Sequence, residues 1–126
     1  MVYTLILTGE TPSKKNSRIN TRSGRSFPSQ KYTQWHSIAV LEIKKAIAER
    51  KIKPIPKGKQ VFLTITFYHG DKRKRDSDNQ LTSILDTLVD AGVLLDDNWR
   101  IIPHKEFFDA YDKDNARAII SIELLP

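Results

Sequence analysis

The stretch Gln60–Asp97 reads QVFLTITFYHGDKRKRDSDNQLTSILDTLVDAGVLLDD, and its two halves carry different periods. In Gln60–His69, Val61, Leu63, Ile65 and Phe67 alternate with Phe62, Thr64, Thr66 and Tyr68, the two-residue period of a strand. From Asp78 the apolar residues fall at Leu81, Ile84, Leu85, Leu88 and Val89. That is the spacing of an amphipathic helix, and Gly92 is placed to end it. A strand followed by such a helix must bury one face of each, so this part of the chain predicts helix layered on sheet.

Working outward, Val2–Thr8 is rich in β-branched and aromatic residues and reads as a strand. Gly9–Ser29 is polar, basic and broken by Pro12, Gly24 and Pro28, so it reads as one long loop. Ser29 is positioned to cap a helix over Gln30–Arg50, with Trp35, Ile38, Ala39, Leu41, Ile43, Ala46 and Ile47 on its apolar face. Lys51–Lys59 is a turn or linker. Arg100–Phe107 and Ala116–Leu124 read as two further strands joined by Asp112–Asn115. The order β-α-β-α-β-β predicts an α/β (α+β) fold, with a small mixed sheet covered by two helices.

Composition narrows the function. The 126 residues fit one domain, 1–126, with one core. No apolar run spans a bilayer, and the apolar start lacks the basic flank and cleavage site of a signal peptide. The chain has no cysteine, which excludes disulfides and thiolate chemistry and suits a cytoplasmic protein. A net charge of +6 favours a polyanionic partner, although charge alone also fits an ordinary basic protein. The charge is polarised along the chain. Lys14, Lys15, Arg18, Arg22 and Arg25 fill the N-terminal loop and Lys72, Arg73, Lys74 and Arg75 form a block, while Asp96, Asp97, Glu106, Asp109, Asp112 and Asp114 gather in the last third.

The basic block abuts Asp76 and Asp78. In an extended segment these two carboxylates point the same way and offer hard oxygen ligands for Mg²⁺ or Mn²⁺ beside cations suited to phosphate. The competing reading makes Asp78 a helix cap, which leaves Asp76 without a role. Asp96 and Asp97 form a second acidic pair, equally readable as a turn. About four turns of helix separate the two pairs, so the chain must fold back, or the far end of the helix must face the site. Asp86 sits on the flank of the helix, readable as a ligand or as a hydrogen-bonded flank residue. Of the histidines, His36 reads as packed on the first helix, and His69, at the end of the central strand, is the one to test.

At Arg75–Asn98, RDSDNQLTSILDTLVDAGVLLDDN, the chain resembles the RusA family of Holliday junction resolvases. A basic run, D-x-D-N, an amphipathic helix with an internal Asp, A-G and a terminal D-D occur there in the family's order. Thr11–Arg18, TPSKKNSR, is similar to the family's loop after the first strand. The resemblance implies a homodimeric, Mg²⁺-dependent endodeoxyribonuclease that nicks four-way DNA junctions symmetrically. Asp76, Asp78 and Asp97 would be its catalytic metal ligands, and Lys14, Lys15, Arg18, Lys72, Arg73, Lys74 and Arg75 its DNA contacts. Family members can carry a lysine in the helix's first turn. Here that turn reads Gln80, Leu81, Thr82, so Lys74 or Arg75 is the alternative source of a cation. Two competing readings remain: a junction-binding module of this fold without catalysis, and an RNA-binding protein in which Asp76 and Asp78 only cap a helix. Trp99, Ile101 and Phe108 read equally as dimer interface or core.

Overall fold

The computed structural model describes residues 1–13, 18–20, 24 and 26–126, with 18–20 and 26–28 described through their backbone alone. The elements in chain order are β1 (Val2–Thr8), β2 (Arg18–Asn20), β3 (Ser26–Pro28), α1 (Gln30–Ala48), β4 (Val61–His69), α2 (Ser77–Asp90), β5 (His104–Tyr111) and β6 (Arg117–Leu124). Four strands form one mixed sheet in the order β1, β6, β4, β5. β6 runs antiparallel to both β1 and β4, and β4 runs parallel to β5, with α2 as the crossover between them. The architecture is the expected α+β layer of two helices on a mixed sheet.

Register follows from burial, because shifting a strand by one residue would turn its apolar set to water. Leu5, Ile120 and Ile65 line up across three strands, as do Leu7, Ala118 and Phe67, and all six are buried. Each large apolar side chain so buried contributes roughly 1.5–3 kcal/mol from desolvation, and Ala118 less. Onto this face α1 lays Tyr32, Trp35, Ala39 and Ile43, and α2 lays Leu81, Ile84, Leu85 and Leu88. The opposite sheet face carries Ile6, more than half exposed, with Thr4, Thr64 and Glu106. The helices are joined by His36, whose Nδ1 lies 3.0 Å from Thr87 Oγ1 and whose Nε2 lies 3.0 Å from Asp90 Oδ2. Its ring stacks on Tyr32, so His36 packs from α1 as the sequence implies.

Helix ends follow local chemistry. The Ser29 hydroxyl accepts the Tyr32 N–H at 3.2 Å and caps α1. Gly92, at φ +83°, adopts the left-handed conformation that closes α2 after Ala91. After α1 the equivalent conformation is taken by Arg50, at φ 61°.

Several boundaries differ from the sequence reading, α1 among them, which ends at Ala48 rather than Arg50. The loop Gly9–Ser29 contains an antiparallel pair, β2 with β3, in register Arg18 with Pro28 and Asn20 with Ser26. Strands of three residues are too short to show a period. The strand expected over Arg100–Phe107 begins instead at His104 and runs to Tyr111. Asn98 is the reason: its carbonyl accepts the N–H groups of Ile101 and Ile102, and its side chain accepts that of Arg100, so a turn takes backbone donors a strand would need. α2 starts at Ser77, with Asp76 in the cap position and Asp78 inside the first turn. Trp99 is 70% exposed and Phe108 53%, so neither is a core residue, whereas Ile101 packs against the core's edge.

Candidate functional site

The parallel β4–β5 pairing and the α2 crossover bring the end of β4, the end of β5 and the start of α2 to one edge of the domain. His69, the last residue of β4, lies there between two carboxylates. Its Nδ1 is 2.8 Å from Glu10 Oε2, just past β1, and its Nε2 is 2.7 Å from Asp109 Oδ1 on β5. A neutral imidazole has one N–H, so it would set a lone pair against one of these oxygens. The imidazolium donates to both. Burial opposes the charge, but the hydrogen bonds to Asp109 and Glu10 and their charges outweigh it, and the His69 pKa is raised. At Asp109 burial is likewise outweighed, here by the Ser77 hydroxyl, which donates to Oδ1 at 2.5 Å, and by His69, so its pKa is lowered.

Glu10 anchors a second set of contacts. Arg75 places one guanidinium nitrogen 3.2 Å from Glu10 Oε1 and the other 2.8 Å from Asp71 Oδ1. Hydrogen bonds from Arg75 and Arg73 hold the Asp71 carboxyl well below the usual carboxylate range. The buried Gln80 amide donates to Glu10 Oε2 at 3.2 Å and to the Thr11 carbonyl at 2.7 Å. The segment after β1 is thereby stitched to the first turn of α2. Ser83 continues the seam by donating to the Pro12 carbonyl at 2.6 Å.

Beside this seam opens a polar cleft of about 450 Å³, lined among others by Glu10, Lys31, Arg73, Lys74, Arg75 and Asp76. A larger cleft of about 590 Å³, near Ile55, Leu95, Arg100 and Pro126, has no acidic side chain in its lining and is the weaker candidate for a metal site. Asp76 occupies the cap position of α2, yet its side chain makes no capping hydrogen bond. Its carboxylate is therefore not consumed by the helix. Asp78, inside the first turn, is exposed and favoured there by the helix dipole; it is not the cap residue.

The sequence-derived site residues fall into separate groups. Asp76, at the cap position, and Asp78, inside the first turn, both lie at the start of α2, but the helix beginning at Ser77 removes the extended geometry that would point them the same way, and only Asp76 lines the cleft. Asp96 and Asp97 follow its other end, and its 14 residues span about 21 Å. Burial, then the adjacent Asp96, raise the Asp97 pKa, with Asp86 adding to the effect. Asp86 and Asp90, after burial, also help push the Tyr32 pKa up to about 12. Among the described residues, no group of three or more His, Asp or Glu side chains is arranged to hold a metal ion. Within the basic block, Arg75 is committed to Glu10 and Asp71, Arg73 pairs with Asp71, Lys72 lies over the Tyr111 ring at 5.0 Å, and Lys74 lines the cleft. Lys14 and Lys15 lie outside the described residues, and Arg18 opens β2.

Sequence reasoning did not single out Glu10, Asp71, Asp109 or Lys31 as site residues. Glu10 and His69 are 59 positions apart and meet only through the fold. The sole advance signal was His69 at a strand end beside an acidic region.

With this geometry in view, the comparisons with known proteins agree. The family model described as Endodeoxyribonuclease RusA matches residues 9–123. The chain is also 31% identical over 85 residues to the crossover junction endodeoxyribonuclease RusA of Aquifex aeolicus (strain VF5). That match covers 68% of this chain and spans 64% of the relative's length. The chain belongs to the RusA family of endodeoxyribonucleases.

Proposed function

We propose that this protein is a metal-dependent, structure-specific endodeoxyribonuclease that nicks four-way DNA junctions symmetrically, as a homodimer in the cytoplasm, with Mg²⁺ or Mn²⁺. The observation that carries the reading is Asp76: a carboxylate free of any capping bond, in a cationic cleft, two residues before Asp78, in a chain of the RusA family. Mg²⁺ typically takes one or two protein carboxylates and completes its shell with water and phosphate oxygens, so Asp76 and Asp78 suffice as its first protein ligands. Once bound, such an ion supplies Lewis acidity and a water of lowered pKa.

The chain's own groups do the remainder. Lys31 and Lys74 offset charge that develops on a phosphate in the cleft. Gln80 and Ser83 bind backbone carbonyls and fix the cleft wall against α2. Arg75, braced by Glu10 and Asp71, holds the basic turn in place. Lys72 adds positive charge for the DNA backbone, the sequence offers Lys14, Lys15 and Arg18 for the same role, and binding weakens steeply with salt. Lysine is absent from the first turn of α2, where Gln80 is occupied with Glu10 and Thr11. That absence favours a second reading, a junction-binding module without catalysis.

The test is cleavage of a four-way junction with a mobile core, beside linear duplex, with Mg²⁺ and with EDTA. Paired, metal-dependent nicks on the junction alone support the nuclease. Tight junction binding without nicking in any metal supports the binding module.

A further inference from the structure

The larger cleft, about 590 Å³, lies between the linker that follows α1 and the turn at Asn98–Ile102, and it shares no lining residue with the Asp76 cleft. Lys57 and Lys59 stand on its linker side and Arg100 on its turn side. All three are exposed, and among the described residues none is paired with a carboxylate. Asp96, just before the turn, is already engaged: its carboxylate accepts the Asp97 N–H at 2.7 Å and the Asn98 amide at 3.1 Å. Cations gathered around a cleft without an acidic side chain attract an anion.

The backbone beneath these cations is tied down. Ile52 and Ile55 are buried, and the Ile55 N–H donates to the Val93 carbonyl at 2.8 Å. The Lys59 N–H donates to the Pro56 carbonyl at 3.2 Å, across a turn that holds Gly58 at φ +85°. On the other wall the Gln60 amide donates to the Arg100 carbonyl at 3.1 Å, and the Val61 N–H to the Ile101 carbonyl at 2.9 Å. The framework of the site is thus set before a ligand arrives, which lowers the cost of ordering it. Beside it stands Trp99, 70% exposed, with the Arg100 guanidinium 5.8 Å from the indole centroid. Cations for phosphates together with an open aromatic face for a base are the two parts of a single-strand binding site. A duplex offers phosphates to the cations but keeps its base faces stacked on each other, so it leaves the indole uncovered. An unpaired strand satisfies both.

We propose that this cleft binds an unpaired segment of DNA, with Lys57, Lys59 and Arg100 on its phosphates and a base stacked on Trp99. The choice of DNA rests on the nuclease reading above and deepens it: a branched molecule with unpaired bases at its branch is held more tightly than a fully paired one. Trp99 follows Asp97 by two residues, which places the unpaired segment near the end of α2 rather than its start.

The test is binding in EDTA, where nothing is cut. Of the two tryptophans Trp35 is buried, so a change in emission reports Trp99. A short oligothymidylate should quench the emission of the wild type and not that of Trp99→Phe. Fluorescence anisotropy of the labelled oligonucleotide gives the affinities. Trp99→Ala should bind it roughly 5- to 150-fold more weakly, while Trp99→Phe, which keeps a ring, stays nearer the wild type. Replacing Lys57 and Lys59 together with alanine should lower the slope of log K against log salt by about 1.4, two phosphate contacts on a single strand. Linear duplex should bind Trp99→Ala as well as it binds the wild type. Equal affinity of wild type and Trp99→Ala for oligothymidylate, an equal loss on duplex, or tighter binding of oligouridylate than of oligothymidylate overturns the proposal. A wild type that nicks four-way junctions but makes no Trp99 contact leaves the nuclease reading standing without this site. One that grips oligothymidylate through Trp99 yet nicks no junction in any metal refutes the nuclease reading and upholds the site.

Discussion

Replacing His69 with alanine tests the charged bridge at the strand ends. The substitution removes two hydrogen bonds to carboxylates, 2.8 Å to Glu10 and 2.7 Å to Asp109. A hydrogen bond to a charged group contributes about 1.5–3 kcal/mol. The Asp109 side chain is 47% exposed, so water replaces most of that contact. The Glu10 arm is largely shielded, with side-chain exposures of 12% for His69 and 20% for Glu10. Glu10 also keeps Arg75 and Gln80, so it is not orphaned. The net loss should be about 2–3 kcal/mol, a fall in Tm of roughly 6–10 °C for a domain of this size. The His69 pKa is raised above 6.5, so its stabilisation is complete below about pH 6.5 and fades as pH climbs through the folded-state value. Thermal melts followed by circular dichroism at pH 6 and pH 9 give the comparison. The gap between wild type and His69→Ala should narrow at pH 9. A gap of the same size at both values would refute the imidazolium bridge, since a loss of packing alone does not titrate.

Four further outcomes are expected. Asp78→Asn should abolish metal-dependent nicking while preserving or tightening junction binding in a gel-shift assay, because it removes a charge close to the bound phosphate. Lys74→Ala should weaken junction binding and reduce the slope of log K against log salt by about 1, measured by fluorescence anisotropy. Ile120→Ala, at a fully buried position in β6 between β1 and β4, should cost about 2–5 kcal/mol in urea denaturation. Arg50→Gly should do the reverse and stabilise by about 1 kcal/mol, because φ 61° suits glycine and strains arginine.

The layered fold was legible because its signals are local. The alternation of Val61 to Phe67 and the helical spacing of Leu81 to Leu88 are properties of short segments, and both elements form where their periods lie. Ser29 and Gly92 likewise act through neighbouring backbone groups. The failures share a cause as well. The turn at Asn98–Ile102 forms from hydrogen bonds that compete with an apolar strand pattern, and no hydropathy period shows that competition.

The site divides along the same line. By itself the sequence determined the fold class, the charge, the Asp76 and Asp78 pair beside its basic block, and the resemblance that the family match upholds. It did so because these depend on residue type and near-neighbour spacing. Only the tertiary structure decided that Asp76 leaves its capping role unfilled and that His69 bridges Glu10 and Asp109. It also decided that Arg75 is held by Asp71 and Glu10, and that Asp97 comes within electrostatic reach of Asp86. These depend on which strand ends share an edge, and that is set by burying one face of a four-stranded sheet.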